Sequence, residues 1–143
     1  MMEKRTQSPE ETKEFGRSLA KQLSPGSVLA LIGPLGSGKT VLVQGICSGL
    51  EVGNAVTSPS FVIINEYPGR LNRSPVWIYH FDLYRLESSE EFIKLGYEEY
   101  FYGKGITLIE WAEKIKPFLP KKRWEVHLKI LSENEREIRV QNF

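Results

Sequence analysis

The segment Gly33-Pro34-Leu35-Gly36-Ser37-Gly38-Lys39-Thr40 combines three glycines with a lysine and a hydroxyl at fixed offsets, G-x-x-x-x-G-K-[ST]. A loop of this kind turns successive backbone N–H groups inward, where they donate together to phosphate oxygens. Gly36 and Gly38 let the chain curl where a Cβ would clash. Lys39 supplies a cation for β- and γ-phosphates, and the Thr40 hydroxyl supplies a ligand for Mg²⁺. Gly33, Leu35, Gly36, Ser37, Gly38, Lys39 and Thr40 are therefore the candidate phosphate-binding residues.

A Mg²⁺-nucleotide site also needs a carboxylate from another strand. Asp82 is the single aspartate beside 17 glutamates, and it closes the apolar and aromatic run 76–83. Glu110 closes a second apolar run, Ile106 to Glu110. Parallel strands bring their carboxyl ends to one edge of a sheet, where ligands bind. Lys39, Asp82 and Glu110 are thus expected to converge as the catalytic group. Asp82 would hold the metal directly or through water, and Glu110 would bind Mg²⁺ or orient the attacking water. Trp111, beside Glu110, suits either core packing or a response to nucleotide and partner.

The elements that must position these groups are legible in outline. Ser27 to Ile32 reads as a buried strand before the loop. Leu42, Val43, Ile46, Cys47 and Leu50 recur at helical spacing after it. That strand–loop–helix context is the one the motif requires. Ser8-Pro9-Glu10-Glu11 reads as a capping box opening a first helix, with Phe15, Leu19, Ala20 and Leu23 on one face. Ser88-Ser89-Glu90-Glu91 repeats the signature for a short helix ending near Gly96, and 97–102 suits another turn. Residues 60–67 and 76–83 read as strands joined by an exposed loop, PGRLNRSP. Residues 111–119 suit a helix or turn broken by prolines, and 124–131 with 136–142 a final hairpin. The fold class is α/β, a P-loop, three-layer fold with a mixed sheet, antiparallel hairpins and flanking helices.

Length and composition set the limits. The chain has 143 residues, the reach of one domain spanning 1–143. A net charge of +1 argues against a broad basic nucleic-acid face. A lone cysteine, Cys47, excludes a disulfide scaffold. No apolar run approaches the ~20 residues of a membrane span, and the N-terminus turns acidic where a signal peptide would become apolar. The expected setting is the cytoplasm, with no membrane partner. No asparagine is followed by lysine, so guanine reading by an Asn-Lys-x-Asp segment is out. The arginines are scattered, unlike the Arg-rich lid of a metabolite kinase.

Taken in order, GPLGSGKT (33–40), TSPSF (57–61), HFDLYRL (80–86), LGYEEY (95–100) and IEW (109–111) resemble the TsaE (formerly YjeE) family. The resemblance covers nearly the whole chain. It implies an ATPase, using ATP and Mg²⁺, that binds the TsaD–TsaB pair and supports formation of N6-threonylcarbamoyladenosine in tRNA. Activity alone would be weak, and tRNA would be met only through those partners. By the same resemblance, Leu35 to Thr40 wrap the phosphates, Thr40 and Glu110 look like Mg²⁺ ligands, and Asp82 matches a Walker-B-like aspartate. Thr57, Ser58 and Ser60 fall in a switch I-like segment, and Glu110-Trp111 in switch II. Thr12 and the C-terminal hairpin would border the base. Ser58-Pro59 equally suits a turn before a strand, and both readings stay open.

The loop departs from the family's usual GDLGAGKTT at Pro34, Ser37 and Val41. Ala112 stands where the family often has proline. Val41 offers only its backbone N–H where a threonine would add a hydroxyl, which implies weaker nucleotide binding by about 1 kcal/mol. Three functions remain open at this point. They are an ATPase accessory subunit, a non-hydrolysing nucleotide-gated interaction module, and a small-molecule kinase.

Overall fold

Short apolar runs between turn signals become the central strands. Residues 2–57 and 63–143 are described in the computed structural model. In chain order the elements are β1 (Met2–Thr6), α1 (Pro9–Ala20), β2 (Val28–Ile32), α2 (Lys39–Gly49), β3 (Ile64–Leu71) and β4 (Ser74–Asp82). There follow α3 (Ser89–Ile93), α4 (Tyr97–Phe101), β5 (Ile106–Glu110), a 3₁₀ segment (Ala112–Phe118), β6 (Trp124–Ile130) and β7 (Arg136–Asn142).

The seven strands form one sheet in the order β1-β7-β6-β2-β5-β4-β3. β6, β2, β5 and β4 run parallel, while β3, β7 and β1 add antiparallel edges. β2 and β5 are buried on both faces, which is why their sequences VLALI and ITLIE show no polar alternation. α1 and α2 cover one face over an aliphatic core that includes Leu19, Leu29, Leu31, Leu42, Ile46 and Leu108. The two short helices and the 3₁₀ segment cover the other face, around Phe81, Phe92, Phe101 and Ile115. The three-layer, mixed-sheet arrangement is the expected one. Among the described residues no helix is long and apolar enough to cross a membrane.

Both capping boxes form. Ser8 Oγ accepts from Glu11 N and Ser88 Oγ accepts from Glu91 N. The returning carboxylates reach one residue further out than in the simplest form. Glu11 Oε1 accepts from Gln7 N and Glu91 Oε2 from Glu87 N. Cys47 is buried, and burial pushes its thiol up to about 12.

Two sequence readings need correction. The expected loop PGRLNRSP is mostly strand, since β3 continues through Pro68 to Leu71 and β4 begins at Ser74. Only Asn72 and Arg73 turn, both at positive φ (50° and 70°), the two-residue hairpin geometry. Pro68 is tolerated because β3 is an edge strand, where a missing N–H costs no ladder bond. The strand read at 60–67 begins at Ile64 among the described residues. The second correction is β1, which the sequence did not announce. Its MEKRT run pairs with β7 along the opposite edge.

Candidate nucleotide site

β2 lies between β5 and β6, so the chain leaves it at a point where neighbouring strands diverge to either side. A crevice forms there at the carboxyl ends of the strands. The glycine-rich loop occupies it. Gly36 and Gly38 take φ of 80° and 98°, values that L side chains rarely adopt. Gly38 caps α2 without any side-chain hydrogen bond, whereas α1 and α3 both have serine caps. The first N–H groups of α2 and its positive dipole end therefore face the crevice with no capping side chain from Gly38.

The carboxylates arrive by strand periodicity. On the face packed against the aliphatic core, β4 presents Ile78, His80 and Asp82, and β5 presents Ile106, Leu108 and Glu110. Each row changes from apolar to ionisable as it nears the crevice. Asp82 and Glu110 are direct cross-strand partners. Thr40 Oγ1, in the first turn of α2, donates to Glu110 Oε1 at 2.8 Å. Residues 70 positions apart in sequence thus meet. Glu110 is not a surface residue at a strand end; it is 2% exposed. Asp82 is half-buried, and its Oδ1 accepts from Tyr84 N at 3.1 Å.

Lys39 belongs to the same cluster but is turned inward. Its Nζ donates to the carbonyls of Gly33 (2.5 Å) and Pro34 (3.0 Å) and lies 3.9 Å from the centre of the Trp111 ring. A buried ammonium needs such acceptors. Burial pushes its pKa below the ordinary lysine value, and Glu110, Glu113 and Asp82 pull the other way. Trp111 sits at φ 61°, an uncommon conformation for a bulky side chain and a mark of local strain. Its ring packs on Tyr84 at 5.1 Å between centroids. It therefore links Tyr84, two residues past Asp82, to the loop lysine.

Of the remaining expected residues, Leu35 is exposed at the loop tip and Ser37 is fully buried beneath it. Thr57 is exposed, and its carbonyl accepts from Asn65 Nδ2 and Tyr67 OH. Ser58 and Ser60 lie outside the described residues. Thr12 is buried against Thr6, their hydroxyls 2.7 Å apart. The C-terminal hairpin touches the loop through Arg136, whose Nη2 donates to Gly36 O at 3.1 Å.

The sequence reading missed two residues here, His80 and Arg136. His80 is fully buried, with Nε2 2.6 Å from Glu110 Oε2. The available signal was a histidine on the core face of a strand, two places before a carboxylate. Arg136 carried no local signal, since its loop partner is 100 residues away.

The donor set for a metal is a hydroxyl with carboxylate oxygens, hard ligands that suit Mg²⁺. Among the described residues, no group of three or more His, Cys, Asp and Glu side chains could hold a metal ion.

A parallel-centred sheet, a glycine-rich loop running into an uncapped helix, and two carboxylates at adjoining strand ends define a P-loop nucleotide-binding protein. The family model for the threonylcarbamoyl adenosine biosynthesis protein TsaE matches residues 6–138. The chain belongs to the TsaE family. It is 43% identical to the tRNA threonylcarbamoyladenosine biosynthesis protein TsaE of Bacillus subtilis, over 94% of this chain and 81% of that protein. It is 38% identical to the protein of that name from Treponema pallidum, over 94% and 96%. The crystal structure of Bacillus subtilis YdiB superposes with a TM-score of 0.78 at 39% identity, covering 96% of this chain and 82% of that one.

Proposed function

We propose that this protein is a Mg²⁺-dependent ATPase that supports formation of N6-threonylcarbamoyladenosine in tRNA. It acts in the cytoplasm as a single-domain accessory subunit of a TsaD–TsaB assembly, and meets tRNA through those partners. The observation that carries the reading is the Thr40–Glu110 contact of 2.8 Å, made beside Lys39. In P-loop enzymes the metal neutralises charge developing on the β- and γ-phosphates. Thr40 and Glu110 would hold it, with Asp82 adjoining. Lys39 would exchange the carbonyls of Gly33 and Pro34 for phosphate oxygens. The N–H groups from Leu35 to Thr40 would wrap the phosphates. Trp111 would sense the change, because its ring lies over the lysine that moves.

Steady-state phosphate release tests the reading, measured with and without TsaD–TsaB. Release should be slow alone and rise with the partners. Lys39→Ala should lower it by about 10²–10³-fold, the usual cost of removing one electrostatic contact to developing charge. Glu110→Ala should act similarly, and both should stop reconstituted tRNA modification. Unchanged modification in the two variants would refute the reading. Nucleotide binding without release would favour a gating module, and label transfer from ATP to a metabolite would favour a kinase.

A further inference from the structure

Glu110 is a carboxylate held almost wholly out of water, and its two oxygens have different partners. Oε1 accepts from Thr40 Oγ1, and Oε2 lies 2.6 Å from His80 Nε2. His80 comes from β4, diagonally across the ladder, because its direct partner on β5 is Leu108. The diagonal suits a long side chain on the same face. An ionised carboxylate only accepts hydrogen bonds, so Nε2 carries the hydrogen. The other ring nitrogen, Nδ1, is buried without a hydrogen-bond partner among the described residues. Nε2 is thus the ring nitrogen placed to donate a hydrogen bond, to Oε2 of Glu110.

We propose that His80 is a positioning residue for the metal-binding carboxylate. Its Nε2–H ties down Oε2 of Glu110 and leaves Oε1 free to serve Thr40 and Mg²⁺. A carboxylate fixed at one oxygen keeps one orientation as the Thr40 hydroxyl is recruited by the metal. Outer partners of this type commonly govern metal affinity about 10–100-fold. The inference rests on the Mg²⁺-nucleotide reading of Glu110 given above, and adds a residue to it.

The test titrates Mg²⁺ into protein and ADP, and measures ADP affinity separately in EDTA. A glutamine amide nitrogen can reach the position of Nε2, whereas an asparagine amide nitrogen falls near Nδ1. His80→Gln should keep the parent's half-saturating Mg²⁺ concentration within about threefold. His80→Asn and His80→Leu should raise it about tenfold or more, while ADP affinity in EDTA stays unchanged. Glu110→Ala is the control and should raise it at least as far. If Glu110→Ala responds and His80→Asn matches the parent, the role of His80 is refuted and the metal site stands. If Glu110→Ala also matches the parent, the metal reading itself fails. A His80→Gln protein as impaired as His80→Asn would overturn the hydrogen-bond argument. Should His80→Leu not fold, the Gln and Asn pair decides. Independently, ¹⁵N-histidine spectra of the parent should show the hydrogen on Nε2 of His80, and a hydrogen on Nδ1 instead would contradict the inference.

Discussion

The two faces of the sheet are built on different principles. One is aliphatic and lies under two helices of 12 and 11 residues. The other is aromatic and lies under two helices of five residues each and a 3₁₀ segment. Helices of five residues have little stability of their own. They are held by rings. Phe92 stacks on Tyr97 at 4.7 Å and also meets Phe81, Phe101 and Phe118. The aliphatic face instead brings backbones close. A Cβ on Gly45 of α2 would stand 2.1 Å from Lys13 O of α1. The site draws on both faces. α2 brings Lys39 and Thr40 from the aliphatic side, and Trp111, packed against the aromatic cluster, covers the lysine. On the proposed reading, the aliphatic side supplies the phosphate-binding loop, and the aromatic side supplies the ring that lies over its lysine.

The contrast can be broken most severely at Phe92. Phe92→Ala should cost about 3–5 kcal/mol in urea unfolding, because several rings lose a shared partner. A loss under about 1 kcal/mol would mean that the aromatic side does not depend on ring packing. Gly45→Ala should cost about 1–3 kcal/mol by forcing α1 and α2 apart. An unchanged urea midpoint would show that the helix crossing has slack. Val41→Thr, in the first turn of α2, should tighten ATP binding by about 1 kcal/mol in calorimetry through one added hydrogen bond. Equal or weaker binding would sink that idea.

The smallest effect is expected where the aromatic cover ends. On β6, Glu125 continues that face as a polar network with His127 and Arg123. Burial raises the Glu125 pKa, but hydrogen bonds from His127 and Arg123 outweigh it and leave a net lowering from 4.5. A lowered folded pKa contributes stability above the unfolded value and loses it as pH falls through the folded one. Glu125→Gln should therefore be less stable than the parent at pH 7, with the gap closing below about pH 4. A gap that stayed constant down to pH 2 would assign the effect to packing instead.

Legibility in the sequence was lowest at the two edges of the sheet. α1 and α2 showed helical periodicity and start signals, and the loop between β2 and α2 was readable residue by residue. Asp82 and Glu110 were found because carboxyl ends of parallel strands share an edge. β3 was misjudged because Pro68 and Gly69 look like loop punctuation, and only sheet position reveals that an edge strand tolerates them. β1 was missed because MEKRT has no apolar face and gains its place by pairing with β7. His80 was missed for a deeper reason. Its local signal, a histidine on the core face of a strand two places before Asp82, does not reveal its partner, which lies 30 positions away.

On the proposed reading, Thr40 and Glu110 form the metal side of a nucleotide site whose lysine swings to engage phosphate. A crystal structure with Mg²⁺ and a non-hydrolysable ATP analogue tests it most directly. Metal density should touch the Thr40 hydroxyl and the Glu110 carboxylate, and Lys39 Nζ should have moved from the Gly33 and Pro34 carbonyls to phosphate oxygens. Metal density away from both residues, or a lysine still on those carbonyls beside a bound nucleotide, would contradict it.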